Sequence, residues 1–273
     1  MKDSTIAFIG AGNMASSIIG GLLDSGHNPA SIRASDPSPA CRESLHASRA
    51  VAVFDDNSAA IEGADVVILA VKPQVMAEVL QNAAKAIQTN KPVLISIAAG
   101  ITVASMQSRL GDTTAVVRCM PNTPALLRCG ASGLYANEQV TPQQRQLCDY
   151  ILSAVGTTCW VEQEQQLDAI TALSGSGPAY FFLFAEAMIE AGVAQGLSPD
   201  TASTLALQTA LGAARMALED GADLPELRRR VTSPGGTTER AINRFEQDKL
   251  RLVVANAMGA AADRAAEMAE EMG

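Results

Sequence analysis

Apolar residues are spaced in two different ways along this chain of 273 residues. Up to about residue 160, short apolar runs alternate with helical patterns. Runs such as Val66-Val67-Ile68-Leu69 carry no polar residue on either side of the pleat. That is the signature of parallel strands covered by helices on both faces. The pattern predicts strands at 6–9, 32–35, 50–54, 65–71, 92–98 and 114–120, with further edge strands at 133–135 and 158–161. After Trp160, Ala, Leu, Met and Glu recur at helical spacing with almost no strand signal. Helices are expected from Gln165, Pro178, Pro199, Leu224 and Thr237, and from Gln247 to the end. The reading is an α/β doubly wound, Rossmann-type parallel sheet over 1–162, followed by an all-helical domain over 163–273.

The first turn is chemically specific. The strand Thr5-Ile6-Ala7-Phe8-Ile9 opens into Gly10-Ala11-Gly12-Asn13-Met14-Ala15 and then a helix carrying Ile18, Ile19, Leu22 and Leu23. Gly10 suits a tight turn and Gly12 lets the backbone approach a pyrophosphate. Ala15 lets helix and strand pack closely. This predicts dinucleotide binding. After the second strand stands Asp36, which can accept from the ribose hydroxyls of NADH and would repel the extra phosphate of NADPH. Ser35 can donate to that phosphate, and Arg33 and Arg42 are near in sequence, so NADPH and NADH both remain open.

A second polar cradle lies near the other end, Val231-Thr232-Ser233-Pro234-Gly235-Gly236-Thr237-Thr238. It runs into a helix whose first N–H groups lack internal partners and carry partial positive charge. Glycines and hydroxyls there suit a carboxylate or phosphate, although Ser233 or Thr237 would equally serve as an ordinary helix cap. Three strand ends carry further candidates: Ala70-Val71-Lys72-Pro73, Ile97-Ala98-Ala99-Gly100 and Met120-Pro121-Asn122-Thr123-Pro124. The last is a proline-stiffened loop bearing an amide and a hydroxyl, suited to holding a flat polar ring. Leu173-Ser174-Gly175-Ser176-Gly177-Pro178 reads as a hinge or a fresh helix start.

Bulk properties exclude several classes. Twenty basic against 29 acidic residues leave a net charge of −9, with no basic block to meet nucleic acid or an anionic membrane. No apolar run is long enough to span a bilayer, and the first strand begins too early for a signal peptide, so a cytoplasmic protein is expected. The five cysteines have no C-x-x-C spacing and read as free thiols in a reducing compartment. His27 and His46 stand away from the strand ends, so neither a histidine acid–base nor a metal site is expected. The small residues of the segment 201–218, among them Ala206, Ala210, Ala213, Ala214 and Ala217, predict a helix face packed against a second copy.

Taken together, G-A-G-N-M, A-V-K-P, M-P-N-T-P, S-G-S-G-P-A-Y and V-T-S-P-G-G-T-T make the chain resemble pyrroline-5-carboxylate reductases over essentially its whole length. The resemblance implies reduction of the cyclic imine 1-pyrroline-5-carboxylate to L-proline by hydride transfer from NADPH or NADH, the final step of proline biosynthesis. It also implies a homodimer, with dimers often building larger rings. It assigns the pyrophosphate to Gly10, Ala11, Gly12, Asn13, Met14 and Ala15, and the adenosine ribose and its phosphate to Ser35 and Asn57, beside the Asp36 already read as a cofactor contact. Ala70, Val71, Lys72, Pro73, Ile97, Ala98 and Ala99 would line the cofactor, with Asn122 and Thr123 near the nicotinamide. Ser233, Gly235, Gly236, Thr237 and Thr238 would hold the substrate, Thr238 nearest the ring nitrogen as the catalytic contact, and Arg230 would be a further cofactor contact. Asp36 departs from the phosphate-friendly pattern of many members. The alternatives are another imine or hydroxy-acid reductase of the same architecture, for which only Lys249 offers an acid–base in the helical domain, and a non-catalytic dinucleotide sensor.

Overall fold

The structure, a computed structural model, describes residues 1–272. The chain forms two compact units, one of residues 1–176 with 260–273 and one of residues 177–259. The expected division at 162/163 falls within the first of them.

The first unit holds an eight-stranded sheet in the order β3-β2-β1-β4-β5-β6-β7-β8. Its parallel strands are β1 (Ile6–Ile9), β2 (Ile32–Ser35), β3 (Ala52–Phe54), β4 (Val66–Leu69), β5 (Val93–Ser96) and β6 (Val116–Met120). Between them lie α1 (Asn13–Asp24), α2 (Pro39–Arg49), α3 (Asn57–Ile61), α4 (Pro73–Asn90) and α5 (Val103–Leu110). The period-two rule is visible in β1 itself. Ile6 and Phe8 join a core with Ile18, Ile19 and Leu22 of α1, whereas Ala7 and Ile9 join a core with Met76, Leu80 and Ile87 of α4. Every residue of β1 is therefore buried, as its unbroken apolar run predicted.

The sheet then reverses. β7 (Gly130–Ala136) pairs antiparallel with β6, because only a short 3-10 turn, Thr123–Leu127, separates them. A connection so short cannot make the crossover that a parallel neighbour requires. Helix α6 (Pro142–Ser153), with Thr141 and Gln144 capping it reciprocally, then returns the chain to β8 (Gly156–Trp160), parallel to β7. Asp149 accepts from the Thr158 hydroxyl and the Trp160 indole N–H, and Arg145 stacks 4.0 Å above the Trp160 ring. These contacts secure the edge strand.

Boundaries differ from the sequence reading where the backbone turns left-handed. Ala50 (φ 55°) ends α2, so β3 starts later than expected. Lys249 (φ 59°) separates the helix ending at Gln247 from the last one, which therefore begins at Leu250. The helix expected from Gln165 is a short α7 (Gln166–Ile170) that passes into a π-turn, Thr171–Gly175.

The second unit contains α8 (Gly177–Ala194), α9 (Pro199–Glu219), α10 (Leu224–Arg230), α11 (Thr237–Gln247) and the start of α12 (Leu250–Met272). Ser198 and Asp223 cap α9 and α10, each followed closely by a proline in the first turn. Little of its apolar surface is covered: Phe181, Phe182, Leu183, Leu205, Leu211, Leu252 and Val253 are all exposed.

His27, only 2% exposed, ties the end of α1 to α6 and to the amino terminus. Its Nε2–H donates to the Ser4 carbonyl (3.1 Å), leaving Nδ1 to accept from the Tyr150 hydroxyl (3.2 Å). Burial lowers its pKa from the ordinary imidazole value, against the raising effect of the Ser4 carbonyl. As pH falls, the unfolded chain therefore takes up this proton first. The contribution of His27 is complete above about pH 6.5 and is lost as pH falls through the folded value. Thermal denaturation between pH 7.5 and 5.5 should show a smaller acid-side loss of Tm in His27→Gln than in the wild type; equal losses would remove His27 as the cause.

Candidate functional site

The glycine turn is built by three strand ends. Gly10 N–H donates to the Ser35 carbonyl at the end of β2 (2.8 Å), and Ala70 N–H, beyond β4, donates to the Ile9 carbonyl (2.8 Å). Gly10 adopts φ +99°, and a Cβ there would lie 2.6 Å from the Ala70 carbonyl oxygen. Glycine is thus required twice over, by backbone conformation and by close approach. Gly12 is the opposite case: a Cβ there would meet nothing within 4 Å. Gly12 caps α1 without any side-chain hydrogen bond, and the N–H groups of Asn13 and Met14 make no hydrogen bond among the described residues. Bare N–H groups at a helix start, with open space before them, fit a dinucleotide pyrophosphate. Ala15 is buried in the core and serves by packing, while Gly12 and Asn13 are exposed.

The residues expected at the adenosine ribose are also brought together. The Ser35 hydroxyl donates to Asn57 Oδ1 at 2.7 Å, joining the end of β2 to the first residue of α3. Asp36 does more than its sequence position suggests. One carboxylate oxygen accepts from Ala11 N–H (2.9 Å) and the other from Ser38 N–H (2.9 Å), so the acid braces the glycine turn itself. Arg42 donates to the Asp36 carbonyl (2.6 Å), and Arg33 donates to the Glu62 carbonyl. Both arginines are thus held by backbone oxygens.

Further along the sheet, Ala70, Val71, Lys72 and Pro73 lead from β4 into α4, where Lys72 is exposed at the cap position. Ile97, Ala98 and Ala99 follow β5. Beside them a cavity of about 30 Å³ is lined by Arg118, Cys119, Asp168 and Met268 among others. Arg118 is buried and paired with Glu164 (2.7 Å), whose same oxygen accepts from Val103 N–H at the start of α5 (2.8 Å). Burial raises the Asp168 carboxyl, opposed by the charge of Arg118. Burial also pushes the Cys119 thiol up to about 12, which leaves it protonated and unreactive. Asn122 is half-buried and Thr123 exposed. The Asn122 amide accepts from Ala131 N–H (2.9 Å) and donates to the Ser174 carbonyl (3.0 Å).

In the second unit, Gly236 caps α11 with no side-chain hydrogen bond. Thr237, Thr238 and Glu239 have N–H groups with no partner among the described residues. The Glu239 carboxylate turns back to accept from Gly235 N–H (2.8 Å), holding the loop open in a left-handed turn (φ 71°). Ser233 and Thr237 are exposed, Thr238 is half-buried, and neither Ser233 nor Thr237 acts as the ordinary cap that was the alternative. Arg230 is occupied by Asp220 (2.8 Å) and Glu226 (3.0 Å). Glu226, shared between Arg229 and Arg230, is drawn down to about 2.

Family models match both parts of the chain: "NADP oxidoreductase coenzyme F420-dependent" over residues 5–100, and "Pyrroline-5-carboxylate reductase dimerisation" over residues 164–268. The chain is 54% identical to a pyrroline-5-carboxylate reductase of Pseudomonas aeruginosa across all of both proteins. The chain belongs to the pyrroline-5-carboxylate reductase family. A Methanosarcina acetivorans member is 40% identical, covering 99% of this chain and 100% of that one. The solved structure of the Coxiella burnetii member superposes with a TM-score of 0.95 at 44% identity, covering 97% of this chain and 98% of the other. A Plasmodium falciparum pyrroline carboxylate reductase solved with NADP bound superposes at 0.85 with 28% identity, covering 98% and 99%. The Rossmann-type fold with a helical dimerisation domain, and the oxidoreductase class, are thereby those of the family.

Several contributors escaped the sequence reading. The brace from Asp36 to Ala11, the Glu164–Arg118 pair and the double engagement of Asn122 all depend on partners distant in the chain. Two substitutions separate the roles of the glycines. Gly12→Val should leave the Tm within a few degrees yet weaken NADPH binding at least tenfold, about 1.4 kcal/mol. Gly10→Ala should lower the Tm as well, since the backbone itself must move. Calorimetric titration and thermal melts of both variants check this; NADPH binding to Gly12→Val at wild-type strength would dismiss the cradle.

Proposed function

We propose that this chain reduces 1-pyrroline-5-carboxylate to L-proline with NADPH or NADH, completing proline biosynthesis. The observation that carries the reading is the pair of glycine-led helix starts that lack a side-chain cap. One follows Gly12 and suits a pyrophosphate; the other follows Gly236 and suits a small carboxylate, with the Thr237 and Thr238 hydroxyls beside it. When bound, the nicotinamide cofactor supplies the hydride.

The chain's own task is then largely binding and alignment. Gly10 to Met14 would hold the pyrophosphate, and Ser35, Asp36 and Asn57 the adenosine ribose. Ala70 to Pro73 and Ile97 to Ala99 would line the cofactor, with Asn122 and Thr123 toward the nicotinamide. Ser233 and Gly235 to Thr238 would grip the substrate carboxylate, with Thr238 orienting the ring nitrogen. Once that nitrogen is protonated, the iminium carbon accepts hydride without a strong enzymic acid. Holding donor and acceptor in line supplies several kcal/mol of barrier lowering, on the order of 7 or more in well-oriented systems. This suits a chain whose histidines are committed elsewhere, His27 in the core and His46 to the Val51 carbonyl. A hydroxy-acid reductase would need an acid–base at the substrate. The one lysine of the helical domain, Lys249, is exposed at a helix junction.

The working form is a homo-oligomer. Each buried Phe or Leu side chain is worth about 1.5–3 kcal/mol, and the exposed row Phe181, Phe182, Leu205, Leu211 and Leu252 is the surface a second copy would cover. We place the enzyme in the cytoplasm as dimers that build larger rings; no helix among the described residues is long and apolar enough to cross a membrane.

Purified protein mixed with pyrroline-5-carboxylate should oxidise NADPH and NADH measurably at 340 nm, and the ratio of the two rates reports the effect of the Asp36 carboxylate. Thr238→Ala should retain the fold and lose about tenfold or more in kcat, at least 1.4 kcal/mol of transition-state stabilisation; wild-type kinetics in that variant would remove its role. Phe182→Glu should shift the protein toward monomer in light-scattering chromatography, and an unchanged mass would place the interface elsewhere.

A further inference from the structure

The side chain of Asn122 is not free to serve the cofactor alone. Its oxygen accepts from Ala131 N–H at 2.9 Å and its amide N–H donates to the Ser174 carbonyl at 3.0 Å. An Asn amide offers two donors and one oxygen acceptor, so one N–H remains and its direction is fixed by the other two bonds. The bond to Ser174 reaches across 52 residues, from the end of β6 to the π-turn Thr171–Gly175. The packing around the turn is close. A Cβ on Gly133 of β7 would lie 2.3 Å from Cδ1 of Ile170, the last residue of α7, and one on Gly175 within the turn would lie 2.7 Å from Met120 Cε. Within the turn, Ser176 N–H closes the wide loop onto the Thr171 carbonyl (2.8 Å). Helix α8, and with it the second unit, starts at the next residue, Gly177.

We propose that Asn122 is a positioning residue that acts through the Ser174 carbonyl. It locks the π-turn to the end of β6, and so fixes the strand end from which Asn122 and Thr123 project. π-Turns cost hydrogen-bond geometry and persist where something holds them. Here the holding group is a side chain on the strand end that is assigned to the nicotinamide. Hydride transfer is sensitive to placement, a shift of about 1 Å costing on the order of a hundredfold in rate. Loosening the turn should therefore lower kcat while leaving the pyrophosphate and adenosine contacts, which dominate cofactor affinity, in place. The rate consequence rests on the imine-reductase reading; the clamp itself does not.

The test is Asn122→Asp, which keeps the acceptor for Ala131 N–H but replaces the donor to Ser174 with an oxygen. Gly175→Ala, which crowds the flexible end of Met120, perturbs the same turn by another route. Three readouts are taken on the full-length protein: hydrogen exchange, the NADPH dissociation constant from Trp160 fluorescence, and steady-state kinetics. In Asn122→Asp, amides of residues 171–176 should exchange at least about tenfold faster with the sheet unchanged. The NADPH dissociation constant should stay within about twofold, while kcat falls about tenfold or more. Gly175→Ala should show the same pattern more weakly. Unchanged exchange at 171–176 overturns the clamp. Cofactor affinity falling in step with kcat also overturns it, by making Asn122 a direct nicotinamide contact. A wild-type protein that fails to oxidise NADPH with the imine counts against the proposed function, and exchange and affinity still decide the clamp.

Discussion

The approach of Gly10 to the Ala70 carbonyl, closer than any side chain would allow, is the constraint on which the first unit depends. It forces the chain leaving β1 to turn at once, between the ends of β2 and β4, instead of running past them. Because β1 lies between β2 and β4, with later strands added on both sides, the turn opens at the point where the order reverses. That is where an α/β sheet leaves a crevice for a ligand. The hydrogen bonds from Gly10 to Ser35 and from Ala11 to Asp36 transmit the same constraint to β2. The shape of the turn after β1 and the shape at the end of β2 are therefore one problem, solved by one turn.

The second unit obeys a different economy. Its helices are well capped and their register is clear, yet its side chains bury little: Ala202, Ala206 and Leu227 are its buried hydrophobic residues among those described. Small residues along α9 and aromatics along α8 make a surface that is too apolar to face water, and the family model matching 164–268 is named for dimerisation. In such an arrangement the start of α11 can remain uncapped. Its bare N–H groups would be a defect in an ordinary bundle but suit the ligand carboxylate proposed for them, and Glu239 accepts from Gly235 N–H rather than capping the helix.

Much of this was legible in local sequence, because local sequence determines it. The turn Gly10–Ala15, the caps before Pro199 and Leu224, and the two-sided burial of β1 and β4 follow from residues within a few positions of one another. What was not legible depends on pairs far apart. The antiparallel β7 follows from the short connection after Met120, which looked like a site loop in its own right. The π-turn stands where a plain helix was expected, and the side-chain hydrogen bond that reaches it from the end of β6 comes from Asn122, 52 residues away in sequence from Ser174. Asp36 was read for its charge toward the cofactor, yet both its oxygens also hold backbone N–H groups. The late starts of β3 and α12 turn on Ala50 and Lys249, two non-glycine residues in left-handed conformation that no periodicity marks.

The central claim is that this chain delivers a hydride to a cyclic imine held by its carboxylate. The most direct measurement uses NADPH deuterated at the transferable position of nicotinamide C4, with product analysed by mass spectrometry and proton NMR. The account predicts L-proline one mass unit heavier, with the deuterium on the ring carbon adjacent to nitrogen and distant from the carboxylate. Proline without the label, or no proline while NADPH remains bound and unoxidised, would contradict it.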